Sequence, residues 1–203
     1  LQEVLDDDPL DKALVKKMAA QMEKIADRIA KIVHGLRLFS RDGSKDSFQK
    51  VNLVQLIEET LSFCNERFKN NGTKIIVEKI EADLGFEGRS VEVSQVLLNL
   101  FNNAHDAVAN FQEKWIKISV VDQPDWVCIQ VTDCGTGLPA DIHTKIFQPF
   151  FTTKEIGKGT GMGLSISLGI IKSHGGELEL DTQCANTRFV VRLPKKQSFN
   201  QAA

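Results

Sequence analysis

Four glycines stand at alternate positions between Gly157 and Gly163, and the apolar pattern of a helix begins immediately after them. Glycines spaced this closely weaken helices and strands alike, so the segment is predicted to be a loop. Its backbone lacks the Cβ atoms that would keep a phosphate chain away, and the free N–H groups at the start of the next helix favour anions. A flexible linker is the alternative, although a linker would not lead into the apolar residues 164–171. The spacing fits neither the Walker pattern nor the dinucleotide fingerprint.

Helix and strand patterns alternate through most of the chain. Apolar residues at helical spacing cover Leu53–Lys69, Ser90–Phe111 and a segment that ends near His174. Strand patterns cover Lys74–Ile80, a hairpin of Trp115–Val121 with Val127–Thr132, and a final pair of Glu177–Asp181 with Arg188–Leu193. We therefore predict an α+β fold, an α/β sandwich in which helices cover one face of a mixed, mostly antiparallel sheet.

The N-terminal segment has a different pattern. Apolar residues recur at spacings of three and four from Leu14 to Phe39, which predicts an amphipathic helix of about 30 residues. Asp8-Pro9 suits its start and Asp42-Gly43-Ser44 its end. Such a helix cannot bury its stripe against itself, so we expect a partner helix in a bundle stem; packing on its own domain is the alternative. The predicted units are a stem in residues 1–45, a domain in residues 46–196 and a disordered tail in residues 197–203.

One polar row runs along the Ser90–Phe111 helix. Gln95, Asn99 and Asn103 follow one another at intervals of four, so they share a face of an otherwise apolar helix. Asparagine is a poor residue for a helix interior, and two on one face need a reason. Their amide oxygens could complete a Mg²⁺ shell together with phosphates and water. A plain exposed polar face is the alternative.

An acidic residue, Asp133, ends the second strand of the predicted hairpin and precedes Gly135 and Gly137. A Gly-x-Gly turn lets a flat ligand approach the backbone. The carboxylate can accept a hydrogen bond from the exocyclic amine of adenine. An ordinary acidic turn remains the alternative for this motif taken alone.

A cluster of three phenylalanines lies in Phe147–Phe151, between the acidic turn and the glycine loop, and is followed by Lys154. Aromatic residues at this place suggest the hinge of a lid that packs when nucleotide binds. Lys154 could reach a phosphate. Ordinary core packing is the alternative for each phenylalanine.

Bulk properties exclude several classes of function. The net charge of -2 favours neither nucleic acid nor an anionic membrane as a partner. The longest apolar runs fall short of the roughly 20 residues that a membrane span needs. The four cysteines stand far apart, so we expect reduced, mostly buried thiols rather than a zinc site or disulfides. The start Leu1-Gln2-Glu3 resembles no signal peptide, and we expect it to be a cut end.

The ordered motifs together resemble the superfamily that joins histidine kinases, gyrase, the Hsp90 chaperones and MutL. Residues 95–107 are similar to its N box, 133–137 to its G1 box, 147–151 to its F box and 157–163 to its G2 box. Thr187 stands where the family often has a threonine near adenine. The resemblance covers roughly residues 48–194 and implies a Bergerat-type fold that binds ATP and Mg²⁺.

The resemblance also implies the residues of the site. It places Mg²⁺ on Asn103 and Asn99, and names both as catalytic. The implied ATP-binding residues are Asn103, Asp106, Asp133, Gly135, Gly137, Leu138, Phe147, Thr153, Lys154, Gly157, Lys158, Gly159, Thr160, Gly161, Met162, Gly163, Leu164 and Thr187.

Asn99 indicates the branch of the superfamily. Hydrolytic members carry a water-activating glutamate at this position, and an amide cannot act as a general base. The residues 28–41 resemble the end of the second helix of a histidine-kinase stem. The resemblance therefore implies a cytoplasmic portion of a sensor histidine kinase that dimerises through its stem, phosphorylates a stem histidine and passes the phosphoryl group to a response-regulator receiver domain. Any membrane attachment is expected from parts outside this chain.

The phosphoacceptor histidine is expected to lie upstream of Leu1. None of the four histidines, His34, His105, His143 and His174, stands in the acceptor motif of the family. Two other functions remain open: an ATP-binding interaction module without chemistry, and a serine kinase of the anti-sigma type, which would not need the long stem.

Overall fold

The computed structural model describes residues 14–22, 47–154 and 159–197. Residues 14–22 are helical. The helices of the remaining part are α1 (Leu53–Ser62), α2 (Asn65–Asn70), α3 (Ser90–Ala107) and α4 (Gly163–Ser173). The strands are β1 (Gln49–Asn52), β2 (Lys74–Val77), β3 (Gly85–Gly88), β4 (Trp115–Asp122), β5 (Trp126–Asp133), β6 (Glu177–Leu180) and β7 (Arg188–Pro194). Two short 3-10 turns, Ala140–Ile142 and Lys145–Phe147, lie between β5 and α4.

Five strands form the main sheet in the order β2-β4-β5-β7-β6. The β2–β4 pair is parallel and the other pairs are antiparallel, so the predicted mixed, mostly antiparallel sheet is confirmed. The predicted hairpin is β4–β5, and each of its strands is slightly longer than predicted. Helices α3 and α4 pack against each other and against the sheet, which confirms the two-layer sandwich.

The hydrophobic core lies between this sheet and the helices. Alternate residues of the central strands, such as Ile118 and Ile129, are fully buried, because successive side chains of a strand point to opposite faces. Leu97 and Phe101 of α3 are also fully buried in the same core. Complete burial of an aliphatic or phenyl side chain stabilises the fold by roughly 1.5–3 kcal/mol. The core therefore fixes α3, and with it the asparagine row, against the sheet.

Two helices are shorter than the sequence predicts. The predicted helix Leu53–Lys69 is broken between α1 and α2, where Cys64 leaves the helical conformation. The hydroxyls of Thr60 and Ser62 donate to backbone carbonyls of the preceding turn, a pattern that bends helices. The predicted helix Ser90–Phe111 ends at Ala107, since the N–H groups of Ala109 and Phe111 bond three residues back and tighten the chain before β4.

A second, two-stranded sheet was not predicted. Strands β1 and β3 pair antiparallel over four residues each. The buried His174, at the C-terminal end of α4, accepts a hydrogen bond from the Arg89 backbone N–H at 3.0 Å and so ties this sheet to α4. Phe48, just before β1, lies 5.1 Å from the His174 ring. The small sheet thus joins the beginning of the domain to the helix that follows the glycine loop.

The ends of the chain are described only in part. Residues 14–22 are helical, as the amphipathic pattern predicts for them, and the rest of the predicted stem lies outside the described residues. Gln197, the first residue of the predicted tail, donates to the carbonyl oxygens of Glu87 and His174. Residues 198–203 lie outside the description. Among the described helices, none has the length and apolar character to cross a membrane.

The cysteines are all free. Cys64 and Cys128 are buried, whereas Cys134 and Cys184 are partly exposed. Burial raises the pKa of the Cys64 thiol to about 11, so this thiol is neutral at physiological pH.

Candidate nucleotide-binding site

Asp133 lies at the end of β5 with only 3% of its surface exposed. Its carboxylate accepts the Gly135 N–H at 2.7 Å and the hydroxyl of the buried Thr187. Burial raises the pKa of this carboxyl, while the two hydrogen bonds act in the opposite direction. Asp133 is therefore a desolvated acceptor whose orientation is fixed from two sides.

The backbones of two chain segments hold this acceptor in place. The Asp133 N–H donates to the Thr187 carbonyl at 3.0 Å, and the Thr187 N–H donates to the Gly135 carbonyl at 3.2 Å. The Asn186 side chain also donates to the Gly135 carbonyl. The structure thus brings Asp133, Gly135 and Thr187 together, although more than 50 residues of sequence separate Thr187 from the other two.

A side chain at position 135 would crowd the Asp133 acceptor. A Cβ atom there would lie 2.6 Å from Asp133 Oδ1 and 2.9 Å from Thr187 Oγ1, both far inside normal contact distance. Gly137 has a φ of 86°, a left-handed conformation that side chains other than glycine rarely adopt. Leu138 follows and packs against the core. This turn therefore presents bare backbone beside a buried carboxylate.

The asparagine row of α3 faces α4. The Asn99 side chain donates to the Ser167 hydroxyl at 3.0 Å, and its oxygen accepts from the Asn103 amide at 3.5 Å. A Cβ atom on Gly163 would overlap the Asn99 amide, so glycine lets the start of α4 approach α3 closely. Gln95, one turn earlier, is half-buried. The amides are thus partly enclosed rather than spread over an open polar face.

Lys154 lies against the C-terminal end of α3. Its Nζ lies 2.8 Å from Asp106 Oδ2 and 3.4 Å from Asn103 Oδ1. The other carboxylate oxygen of Asp106 accepts from Arg67 at 3.2 Å. These groups form an ionic cluster that is about one-third exposed at Lys154 and Asp106.

Part of the glycine loop lies outside the described residues, including Gly157 and Lys158. Gly159 is described and packs close to the Thr152 hydroxyl, where a Cβ atom would lie 2.8 Å from Oγ1. Gly161 has a φ of 67°, and a Cβ atom on it would collide with the Phe150 backbone. The Thr160 hydroxyl accepts from the N–H of the buried Met162, and Leu164 packs on the core at the start of α4.

The three phenylalanines have different environments. Phe147 is half-buried and makes an edge-to-face contact with Phe189, with 6.4 Å between ring centroids. Phe151 packs against the core. Phe150 is 71% exposed and is the non-glycine residue with a left-handed φ, 67°, in the described part of the chain. Core packing therefore explains two of them, while Phe150 pairs an exposed ring with a backbone strain of about 1–3 kcal/mol.

Three of the four histidines have structural roles. His105 is buried, stacks on Phe68 and shares a hydrogen bond of 3.0 Å with the Thr73 hydroxyl. Burial lowers the pKa values of His105 and His174. His143 lies 2.8 Å from the Leu138 carbonyl. His34 lies outside the described residues.

Several neighbours of the site carry no recognisable signal in the sequence. Arg67, Ser167 and Asn186 reach the site only through tertiary packing, 39, 68 and 51 residues from the partners named above. Within the described ranges, His, Cys, Asp and Glu side chains form no group of three or more that could hold a metal.

The structure thus contains one group with a buried acceptor beside bare backbone, and a second group of amides with a lysine. A family model described as histidine kinase-, DNA gyrase B-, and HSP90-like ATPase matches residues 88–197, which include all these groups except Arg67. The chain belongs to this family. The prediction that this chain contains an ATP-binding domain is therefore confirmed. The matched residues make up more than half of the chain.

Known sensor kinases are similar to this chain. The sensor kinase CckA of Brucella abortus is 42% identical over 130 residues, which are 57% of this chain and 13% of CckA. The sensor protein FixL of Bradyrhizobium diazoefficiens is 35% identical over 187 residues, which are 88% of this chain and 36% of FixL. The chain thus spans well under two thirds of the length of these relatives.

Solved structures agree with these similarities. The catalytic domain of the histidine kinase ThkA superposes with a TM-score of 0.67 at 33% identity, covering 75% of this chain and all of that domain. ThkA in complex with the response regulator protein TrrA matches 94% of this chain and 53% of that chain, at 27% identity and the same TM-score. The predicted fold and the predicted assignment to the histidine kinases are therefore confirmed.

Proposed function

We propose that this chain is the ATP-binding, catalytic portion of a two-component sensor histidine kinase. The observation that carries the proposal is the buried Asp133 carboxylate, held by Gly135 and Thr187. Asn103 and Lys154, which contact each other, are proposed to form the other end of the same site. The other residues proposed to form the ATP site are Asn99, Asp106, Gly137, Leu138, Phe147, Thr153, Gly157, Lys158, Gly159, Thr160, Gly161, Met162, Gly163 and Leu164.

Asp133 is proposed to bind adenine. An ionised carboxylate has about four acceptor positions, and the Gly135 N–H and Thr187 hydroxyl use two of them. The remaining capacity suits the exocyclic amine of adenine. Guanine presents a carbonyl oxygen at the corresponding position, and two acceptors facing each other without a proton repel. The site should therefore prefer ATP to GTP.

Asn103, with Asn99, is proposed to hold Mg²⁺ and the phosphates. Magnesium prefers oxygen ligands and is usually completed by phosphates and water. Phosphoryl transfer depends mainly on positioning and on charge neutralisation, which Mg²⁺, Lys154 and the backbone of the glycine loop would supply. The Asn99 amide cannot take a proton from water, so transfer to another group is favoured over hydrolysis.

The proposed acceptor is a histidine of the stem, upstream of this chain. The phosphoryl group would then pass to an aspartate of a response regulator, within a homodimer joined through the stem and in the cytoplasm. The ThkA–TrrA complex supports this relay by similarity. His105 and His174 are buried and hydrogen-bonded, which supports an acceptor elsewhere.

Nucleotide titration tests the adenine assignment. We expect the Asp133→Asn variant to bind ATP about tenfold or more weakly, since it loses a charge-assisted hydrogen bond. Its preference for ATP over GTP should also shrink, as isothermal titration calorimetry with both nucleotides would report. The control is Asp122→Asn, at the opposite end of the β4–β5 hairpin, where the carboxylate pairs with Lys195. Unchanged ATP affinity in Asp133→Asn refutes the adenine assignment.

Labelling with radioactive ATP tests whether this chain binds ATP while the phosphoacceptor histidine lies in the upstream stem. The chain should bind ATP·Mg²⁺ but should not phosphorylate itself, while a longer chain that includes the upstream stem should gain acid-labile phosphate. Stable acid-labile phosphate on any of the four histidines of this chain contradicts the proposal. A longer chain that binds ATP but never becomes labelled favours an interaction module instead.

A further inference from the structure

The ionic cluster at the proposed phosphate end consists of Lys154, Asp106 and Arg67. Lys154 Nζ sits between Asp106 Oδ2 at 2.8 Å and Asn103 Oδ1 at 3.4 Å. Asn103 and Asp106 are three residues apart on α3, so their side chains are neighbours on one face. The lysine ammonium thus lies against the oxygen proposed to bind Mg²⁺, while a carboxylate holds it there.

Asp106 has a second cationic partner. Arg67 of α2 donates to Asp106 Oδ1 at 3.2 Å and to Asn102 Oδ1 at 3.2 Å. The carboxylate therefore keeps one ion pair when Lys154 leaves it. Because each cation binds a different oxygen, the Lys154 contact can break without leaving the Asp106 carboxylate unpaired.

Partial exposure makes the Lys154 contact easy to exchange. The side chains of Lys154 and Asp106 are 33% and 35% exposed, so water and salt screen their attraction. A flexible lysine with a compact charge can turn from a carboxylate to a phosphate oxygen at little cost. An aspartate beside a polyphosphate, by contrast, repels it.

We propose that Asp106 is a positioning residue that competes with the ATP phosphates for Lys154. In the nucleotide-free protein Asp106 holds the ammonium at the phosphate end. When ATP binds, Lys154 transfers to the phosphates and leaves the Asn103 oxygen, which would then be available to hold Mg²⁺. Asp106 remains on Arg67. Asp106 thereby lowers the affinity for the phosphate chain without affecting the nucleoside. This inference rests on the proposed function, because it assumes that ATP binds between Asp133 and Asn103.

A double-mutant cycle tests the competition. The dissociation constants of ATP·Mg²⁺ and of adenosine are measured by calorimetry for the wild type, Asp106→Asn, Lys154→Met and the double variant. We expect Asp106→Asn to tighten ATP binding by about two- to fivefold, the value of a partly exposed ion pair. In the Lys154→Met background the same change should tighten it less, since only the general repulsion by Asp106 is then removed. Adenosine affinity should stay the same in all four proteins.

Two results overturn the inference: weaker ATP binding in Asp106→Asn, or an equal tightening in both backgrounds. Glu78→Gln is the matched control, since Glu78 forms a similar ion pair with Lys117 on the sheet and should leave both affinities unchanged. Failure of the proposed function is distinguishable, because adenosine would then fail to bind or would bind independently of Asp133. If adenosine binding depends on Asp133 while the cycle shows no coupling, only the inference fails.

Discussion

The two ends of the proposed site differ in burial and in the interactions that hold them. At the adenine end, Asp133 and Thr187 are 3% and 6% exposed, and backbone hydrogen bonds join the end of β5 and the following turn to Thr187, just before β7. At the phosphate end, Lys154 and Asp106 are about one-third exposed and are joined by side-chain ion pairs. The contacts of the adenine end therefore form when the protein folds and do not depend on a ligand. The ion pairs of the phosphate end can be replaced by contacts with a ligand.

This difference assigns a separate task to each end. A rigid, desolvated acceptor discriminates between bases, because an incorrect base leaves it without a partner. An exposed ionic cluster neutralises phosphates and adapts as their charge shifts during transfer. We therefore expect changes at the adenine end to affect every adenine ligand, and changes at the phosphate end to affect only phosphorylated ones.

The largest effect is expected from Gly135→Ala. The added Cβ would lie within 3 Å of both Asp133 and Thr187, so the acceptor must move. Affinities for ATP and adenosine should both fall by roughly 30-fold or more, equivalent to about 2 kcal/mol. Calorimetric titration of both ligands measures this.

The matched control for that change is Gly169→Ala in α4. Gly169 is exposed and nothing lies within 4 Å of an added Cβ, so nucleotide affinity should not change. The helix should instead become more stable by roughly 0.5–1 kcal/mol. An equal loss of ATP affinity in both variants would mean that the close packing of Gly135 against Asp133 and Thr187 is not what nucleotide binding depends on.

Lys154→Met should have a smaller and selective effect. Loss of one charged partner for the phosphates should weaken ATP binding by about tenfold, partly offset by release of the Asp106 contact. Adenosine, which carries no phosphate, should bind as before. A parallel loss of adenosine affinity would show that the two ends are not independent.

The smallest effect is a gain in stability of the nucleotide-free Asp133→Asn variant. Burial raises the pKa of Asp133 above 3.8, so the folded protein holds this proton more tightly than the unfolded chain does. The ionised carboxylate therefore costs stability at neutral pH, and that cost disappears as the pH falls through the raised pKa. Asparagine should stabilise the fold at pH 7 by roughly 0.5–2 kcal/mol, a typical gain when a functional group is removed.

Urea unfolding at several pH values measures this gain. The difference between Asp133→Asn and the wild type should shrink toward acid, because the wild-type carboxyl becomes neutral as well. A difference that stays constant with pH would contradict the assignment of Asp133 as a desolvated charge.

The sequence predicts the parts of this site that lie on regular elements. Asp133 is the last residue of a strand rich in β-branched residues, and the asparagines repeat with the helical period of α3. The local sequence pattern is therefore enough to locate both. The β4–β5 hairpin follows from alternation on either side of a four-residue turn. These predictions succeed because the periodicity of each element reflects the face it buries.

Other features depend on contacts between distant residues. Strands β1 and β3 have four residues each, too few for a clear alternation, and their pairing joins Val51 to Phe86 across the intervening helices. The ion pair of Arg67 with Asp106 links α2 to α3 over 39 residues. The break at Cys64 also escapes prediction, because the apolar spacing continues across it. Tertiary packing decides these features, and single-sequence patterns do not contain it.

A crystal structure with a non-hydrolysable ATP analogue and Mg²⁺ tests the central claim most directly. We predict that the adenine amine lies within hydrogen-bond distance of the Asp133 carboxylate, while Asp133, Gly135 and Thr187 keep their present positions. Lys154 Nζ should have left Asp106 for a phosphate oxygen, and Asn103 should ligate the metal. An adenine bound away from Asp133, or a bound triphosphate with Lys154 still on Asp106, would contradict the account.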